Sequence, residues 1–217
     1  MDVQELAPGL WRWTTPHPDW REDADWEADV SSVYLETAGH VVLIDPLVPT
    51  DDESRERFLH HLDADVERAG KPVAVLVTVY WHERSAAELA KRYGGEIWAS
   101  EGTAAELQAP ARVFSPGDVL PGGVIAVDAL RRFETIYWLP EHRALVTGDV
   151  LLGDAEQGVR VCPDSWLPDG ASPAEFRLAL QALLDLPVEL ILPAHGAPVR
   201  DDAHAVLRRA LDPQAVP

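Results

Sequence analysis

Cysteine occurs once in this 217-residue chain, at Cys162, so no disulfide can form within it and a zinc site built from cysteines alone is excluded. Lysine is almost as scarce: only Lys71 and Lys91 are present, and 18 basic residues face 37 acidic ones, for a formal charge of −19. A field of that sign repels phosphate backbones and anionic lipid, so neither a nucleic acid nor a membrane is expected as partner. No stretch approaches the roughly 20 apolar residues of a membrane span. The opening MDVQELAPGLWRW has neither the basic nor the apolar region of a secretory signal, which makes a cytoplasmic location the expectation. Gly/Ser linkers and charge blocks are missing too, so one domain over residues 1–217 is expected.

What is present is ordinary globular material, 47% apolar and 25% charged, enough to build a core without disulfide or metal staples. Strands are predicted at Leu10 to Trp13, Val30 to Glu36 and Val41 to Ile44, the last two joined as a hairpin through Gly39. A long loop, TTPHPDWREDADWEAD, separates the first two. Asp51 to Arg68 has an acidic start, an apolar stripe through Phe58, Leu59, Leu62 and Val66, and Gly70 at its end, the pattern of an amphipathic helix. Val73 to Val77 reads as a strand buried on both faces, followed by a helix from Ser85 to Tyr93, then EIWAS as a strand and TAAELQ as a helix. Strands return at Gly123 to Ala129, Thr135 to Leu139, Ala144 to Thr147 and Val159 to Cys162. A helix opens at Ser172-Pro173, a short strand spans Leu190 to Pro193, and a helix closes the chain at Ala203 to Leu211. Two halves, each β-rich and then α, imply two facing sheets with helices outside.

Three segments lie just beyond buried strands, where an α/β architecture places its chemistry: VYWHERS from Val79, TGDVLLG from Thr147 and LPAHGAPV from Leu192. Alone, Asp149 reads as a backbone cap and His195 as a turn histidine bonded to a carbonyl. Together, LIDP with Asp45, VLVT with Thr78, AAELAKRYGGEIWAS, the hairpin IYWLPEHRALVTGD with Asp149, and LPAHG with His195 resemble the metallo-β-lactamase superfamily over most of the chain. The resemblance implies an α/β fold, a four-layer αββα sandwich, with a sheet-edge cleft for one or two ions of zinc, iron or manganese. Laid on the family's HxHxDH pattern, the two spaced histidines become Val79 and Trp81, the aspartate becomes Glu83 and the last histidine becomes Arg84. The middle histidine becomes Leu130. Asp45 matches the aspartate that braces the metal loop.

Val79, Trp81 and Leu130 have no lone pair for zinc, and an arginine can neither be deprotonated nor ligate. The leading expectation is therefore a decayed, non-hydrolytic site without a metal, in which Arg84 pairs with Glu83 and Asp149 in place of the ion. One alternative keeps a single Zn, Fe or Mn ion on Glu83, Asp149 and His195, hydrolyses an ester, thioester or phosphoester, and uses Arg84 to orient an anionic substrate. Another is a metal-free enzyme with His195 as base and Asp149 as its orienter. Of the eight tryptophans, Trp20, Trp26, Trp81 and Trp166 fall on loops and are expected to wall the cleft, with Glu83 and Arg84, around a small-molecule ligand. His82 is one position out of register and is expected at the surface, as are His17, His60, His61 and His204. A Ser85/His82/Glu83 nucleophile set is too close in sequence to converge, and Cys162 between apolar neighbours reads as a buried thiol.

Overall fold

The computed structural model describes residues 1–131, 133–168 and 170–213. Seven strands follow one another in order in the first sheet: β1 (Asp2–Ala7), β2 (Leu10–Pro16), β3 (Asp29–Glu36), β4 (Val41–Ile44), β5 (Val73–Leu76), β6 (Glu96–Ser100) and β7 (Ala111–Phe114). The first four run antiparallel; β4 to β7 run parallel, and the crossovers carry α1 (Asp52–Ala69), α2 (Ala86–Tyr93) and α3 (Glu101–Glu106). The second sheet combines β8 (Ile125–Asp128), β9 (Thr135–Leu139), β10 (Ala144–Val146) and β13 (Leu190–Leu192) in the order β13-β10-β9-β8. A separate hairpin, β11 (Leu151–Asp154) with β12 (Gly158–Val161), precedes α4 (Pro173–Leu180), and α5 (Ala203–Ala210) closes the fold.

Alternation along single strands divides the apolar residues among three layers. On β4, Val42 and Ile44 face the second sheet while Val41 and Leu43 pack under Phe58 and Leu62 of α1 and Leu89 of α2. On β9, Tyr137 and Leu139 face the first sheet, whereas Ile136 and Trp138 face Phe176 and Leu180 of α4 and Val206 and Leu207 of α5. Strand β13 divides the same way, Leu190 and Leu192 inward and Ile191 outward. One apolar layer between the sheets and one beneath each helical face make the αββα sandwich.

The helix ends follow their local chemistry. Asp51 caps α1 by accepting from the Ser54 N–H, and Gly70 ends it at φ 60. The strands left unassigned by pattern have physical reasons to be quiet: β1 is a polar edge strand with an exposed-to-intermediate face, β7 is the opposite edge, and β11 reads LLGD.

The carboxyl ends of β4, β5, β10 and β13 open onto one rim. Cross-sheet bonds bind that rim together: Thr135 N–H donates to Thr78 O at 2.9 Å, Ser31 N–H to Ala194 O at 2.8 Å, and Tyr137 Oη to Val77 O at 2.7 Å. The turn holding His195 is pressed against the β11 hairpin, where Gly153 N–H donates to His195 O and a Cβ on Gly196 (φ +84) would lie 2.7 Å from Gly153 Cα. Gly94, at the end of α2, is also left-handed (φ +64) but has nothing within 4 Å of a built Cβ. Gly94→Ala is therefore expected to cost about 1 kcal/mol, the backbone penalty alone. Gly196→Ala adds a backbone collision, and its cost is expected at roughly 2–4 kcal/mol. Urea midpoints at unchanged slope measure both, and equal losses would remove the packing argument.

Candidate functional site

The loop after β5 leaves extended geometry immediately. His82 N–H donates to Val79 O at 2.8 Å and Glu83 N–H to Tyr80 O at 3.1 Å, closing a 3₁₀ turn over Tyr80–His82. That turn replaces side-chain alternation with a period of three and swings His82 inward, where it is 3% exposed. Its partner comes from the end of β4. Asp45, in left-handed conformation at φ 47, accepts from Thr78 N–H at 2.8 Å and Thr78 Oγ1 at 2.6 Å, and lies 3.0 Å from His82 Nδ1. Because the single Thr78 hydroxyl proton points to Asp45, Thr78 Oγ1 accepts at its 2.9 Å contact with His82, and Nδ1 carries the proton. His82 Nε2 is thereby turned toward the cleft.

Asp149 follows β10 and His195 follows β13. The Asp149 backbone N–H donates to Glu134 Oε1 at 2.5 Å, and its Oδ2 accepts from Trp81 Nε1 at 2.8 Å. Its Oδ1 is buried with no hydrogen-bond partner, yet lies 3.4 Å from His82 Nε2 and 3.4 Å from His195 Nε2. Charge-assisted N–H···O⁻ bonds close to about 2.7–2.9 Å, whereas donors sharing a tetrahedral zinc at its usual bond lengths stand about 3.3–3.5 Å apart. The spacing fits an ion better than a hydrogen bond. Potential ligand atoms of His82, Asp149 and His195 all lie within 4.8 Å of one another, so the three could hold a metal ion, and the Asp45 carboxylate stands behind His82 at its Nδ1.

Charges around this group are finely opposed. Burial and the Arg84 guanidinium work against a proton on His82, but Asp149 and Asp45 outweigh them, and without a metal its pKa is pushed up to about 9. Burial likewise opposes the Asp149 charge, yet His82 and His195 hold its carboxyl well below the usual range. Glu134 is pushed up to about 7 by burial and then by Asp149, against the pull of Arg131. Arg131 donates to Glu134 Oε2 at 2.7 Å and to Trp166 O at 3.1 Å, with its guanidinium 5.5 Å from both the Trp81 and Trp166 ring centroids.

The cleft measures about 520 Å³, and its walls include Trp26, Trp81, Trp166, Arg84, Arg131 and His17 above His82, Asp149 and His195. Several expectations from the chain alone are corrected here. His82 is central rather than superficial, and His17 is half-buried in the wall with its ring 5.3 Å from Trp26. Glu83 points away from the cleft: its carboxylate accepts from the Gln108 and Ala109 N–H groups at 3.0–3.1 Å, so it is not available as a ligand. Arg84 does not pair with Glu83 or Asp149. Its Nη1 donates instead to Ser31 O at 2.9 Å and Asp45 O at 3.0 Å. Trp20 lies outside the wall, its Nε1 donating to Trp26 O at 2.8 Å. Leu130, at φ 57, is 44% exposed, and Arg131 and Glu134 turn inward from that loop instead. His204 is half-buried, with Nε2 2.9 Å from Leu184 O, while His60 and His61 are exposed. Ser85 Oγ accepts from Val48 N–H, apart from His82, and Cys162 is buried. His195 Nε2 stands 3.4 Å from Asp149 Oδ1, so the two residues named for the metal-free alternative do meet at the cleft floor. The signal that could have found His82 was Asp45 itself: a bracing carboxylate needs a donor, and His82 is the sole histidine of the loop it braces.

By sequence, no family model and no curated protein matches the chain. By structure, it is similar to a metallo-beta-lactamase from Pontibacter korlensis (TM-score 0.69, 16% identity, 97% of this chain and 98% of that one). It is also similar to the metallo-beta-lactamase FIM-1 from Pseudomonas aeruginosa, a mono-zinc form (TM-score 0.67, 13% identity, covering 100% and 96%). A metallo-beta-lactamase family protein from Thermus thermophilus aligns at TM-score 0.63 and 18% identity, covering 95% and 78%. With these likenesses running over 95% or more of its length, this chain has the metallo-β-lactamase fold.

Proposed function

We propose that the cleft is a mononuclear metal centre in which His82, Asp149 and His195 hold one zinc, iron or manganese ion, and that the protein hydrolyses an ester, thioester or phosphoester. The observation that carries this reading is the buried, unbonded Asp149 Oδ1 standing 3.4 Å from two imidazole nitrogens. Two histidines and one carboxylate with positions left open suit a catalytic ion. Such an ion supplies Lewis acidity toward the scissile group and lowers the pKa of water.

The chain's own side chains prepare that chemistry. Asp45 keeps the proton on His82 Nδ1 and so leaves Nε2 as the donor. Trp81 Nε1 holds Asp149 Oδ2, which aims Oδ1 inward, and Glu134 fixes the backbone beneath it. Trp26, Trp81 and Trp166 wall the cleft and limit water around the reacting group. A second ion has little to hold it: Val79 and Leu130 offer no lone pair, the first fully buried and the second exposed.

A non-hydrolytic binding role is the second reading, favoured by the local charge balance. Arg84, Arg131 and a protonated His82 match Asp45, Asp149 and Glu134 without an ion.

Protein purified from medium supplemented with zinc, iron and manganese is expected to retain close to one equivalent of metal. His82→Ala, Asp149→Ala and His195→Ala should each lose it, while Glu83→Ala should keep it; elemental analysis of the four variants decides, and an empty wild type leaves only the binding reading. A second expectation concerns metal-free protein. His82 titrates near 6.5 when unfolded and at about 9 when folded, so the stability it adds is complete below about 6.5 and is lost as pH rises through about 9. Urea unfolding of chelator-treated wild type should show that fall, and His82→Gln should not.

A further inference from the structure

We propose that Arg84 is the anchor for a carboxylate on the substrate, so that this cleft takes organic monoanions with a flat apolar body. The inference rests on the cleft being the reactive site, and it names the substrate class of that site. Arg84 is tethered by one nitrogen alone. Its Nη1 donates to the Ser31 and Asp45 carbonyls, its Nε is buried without an acceptor, and no carboxylate lies within ion-pair distance of it among the described residues. Its backbone sits at φ 43, a conformation that costs a non-glycine residue free energy and that the surrounding structure must hold.

A permanently charged group in a confined cleft is costly to leave without a counter-charge. Two other cations of the cleft are already matched: Arg131 by Glu134, and His82 by Asp45 and Asp149. Arg84 shares the cleft wall with the His82–Asp149–His195 group. An oxyanion bound there gives Arg84 the direct ion-pair partner that no carboxylate of the described residues supplies, and sets the neighbouring bond beside the candidate metal position.

The remaining walls select the rest of the molecule. Trp26 stacks edge-on to His195 at 5.4 Å, Trp81 is fixed by donating to Asp149 at 2.8 Å, and Trp166 by donating to Asp25 at 2.7 Å. These rings favour a flat apolar body. Asp19 and Asp25 at the mouth, within a chain of net charge −19, penalise a dianion twice over, which favours a carboxylate above a phosphate monoester.

The test uses benzoate, its neutral isostere benzamide, and phenyl phosphate, titrated into the full-length protein with tryptophan emission and calorimetry as readouts. Metal-loaded and chelator-treated protein are compared. A charge-assisted contact predicts that benzoate binds about 10- to 100-fold more tightly than benzamide. That preference should persist in chelator-treated protein, fall to near unity in Arg84→Met and survive in part in Arg84→Lys. Histidine ¹⁵N spectra should show benzoate perturbing His82 and His195. Equal affinity for benzoate and benzamide, or an undiminished preference in Arg84→Met, would overturn the proposal. A preference seen only with metal present would assign the anion to the ion and remove Arg84 from the site. Tighter binding of phenyl phosphate than of benzoate would overturn the choice of a monoanion. If Arg84→Met fails to fold, Arg84→Lys and Arg84→Gln carry the comparison, since both keep a donor for the two carbonyls. A protein that retains no metal yet prefers benzoate would sink the hydrolase reading and leave this one standing.

Discussion

A single carboxylate, 3% exposed at the end of β4, organises the rim of the sandwich. Asp45 accepts the Thr78 backbone and hydroxyl protons and faces His82 Nδ1, so the strand end of β5, the turn behind it and the imidazole are all referred to one point. Its own carbonyl accepts from Ser32 Oγ and from Arg84, which extends the network to β3 and the cleft wall. Buried polar networks of this kind rigidify when complete, because each partner's loss would strand another buried group. The first sheet therefore presents His82 in one orientation, with one nitrogen committed and the other free.

The second sheet answers with Asp149 and His195, and its support is built differently. Glu134 takes the Asp149 N–H, Arg131 takes Glu134, and the Trp81 and Trp166 rings flank Arg131. Each carboxylate near the cleft floor is tied to a backbone or an indole donor on one side, which leaves a single buried oxygen, Asp149 Oδ1, between two imidazoles. A site in which all donors but a few are consumed by neighbours is a site whose remaining donors are aimed. The unevenness of the charge distribution follows from the same accounting: a chain carrying net −19 concentrates Arg84, Arg131 and three histidines around one cavity.

The layers and their order were readable from the chain because alternation and helical stripes are properties of consecutive residues. The β4 run, the capped helix at Asp51 to Gly70 and the strand-turn positions of Asp149 and His195 all come from such local pattern. Edge strands β1 and β7 escaped because one polar side and few apolar residues erase the period. Most of the candidate site was legible as a location, and less of it as a set of residues. Laying Val79 to Arg84 on the family pattern assigned Glu83 to the cleft and left His82 out of register, and one 3₁₀ turn reverses both.

The sequence by itself determined the helices and the buried strands, that four layers result, and that chemistry belongs at three strand ends, since those depend on periodicity and on residues next to one another. Only the tertiary structure decided which side chains meet there. His82 faces the cleft because Asp45, 37 positions earlier, waits for its nitrogen, and Glu83 turns outward because two N–H groups near Gln108 need an acceptor. Partners that distant in sequence leave no local trace, and the direction of a side chain in a non-repeating loop is set by the groups that satisfy it.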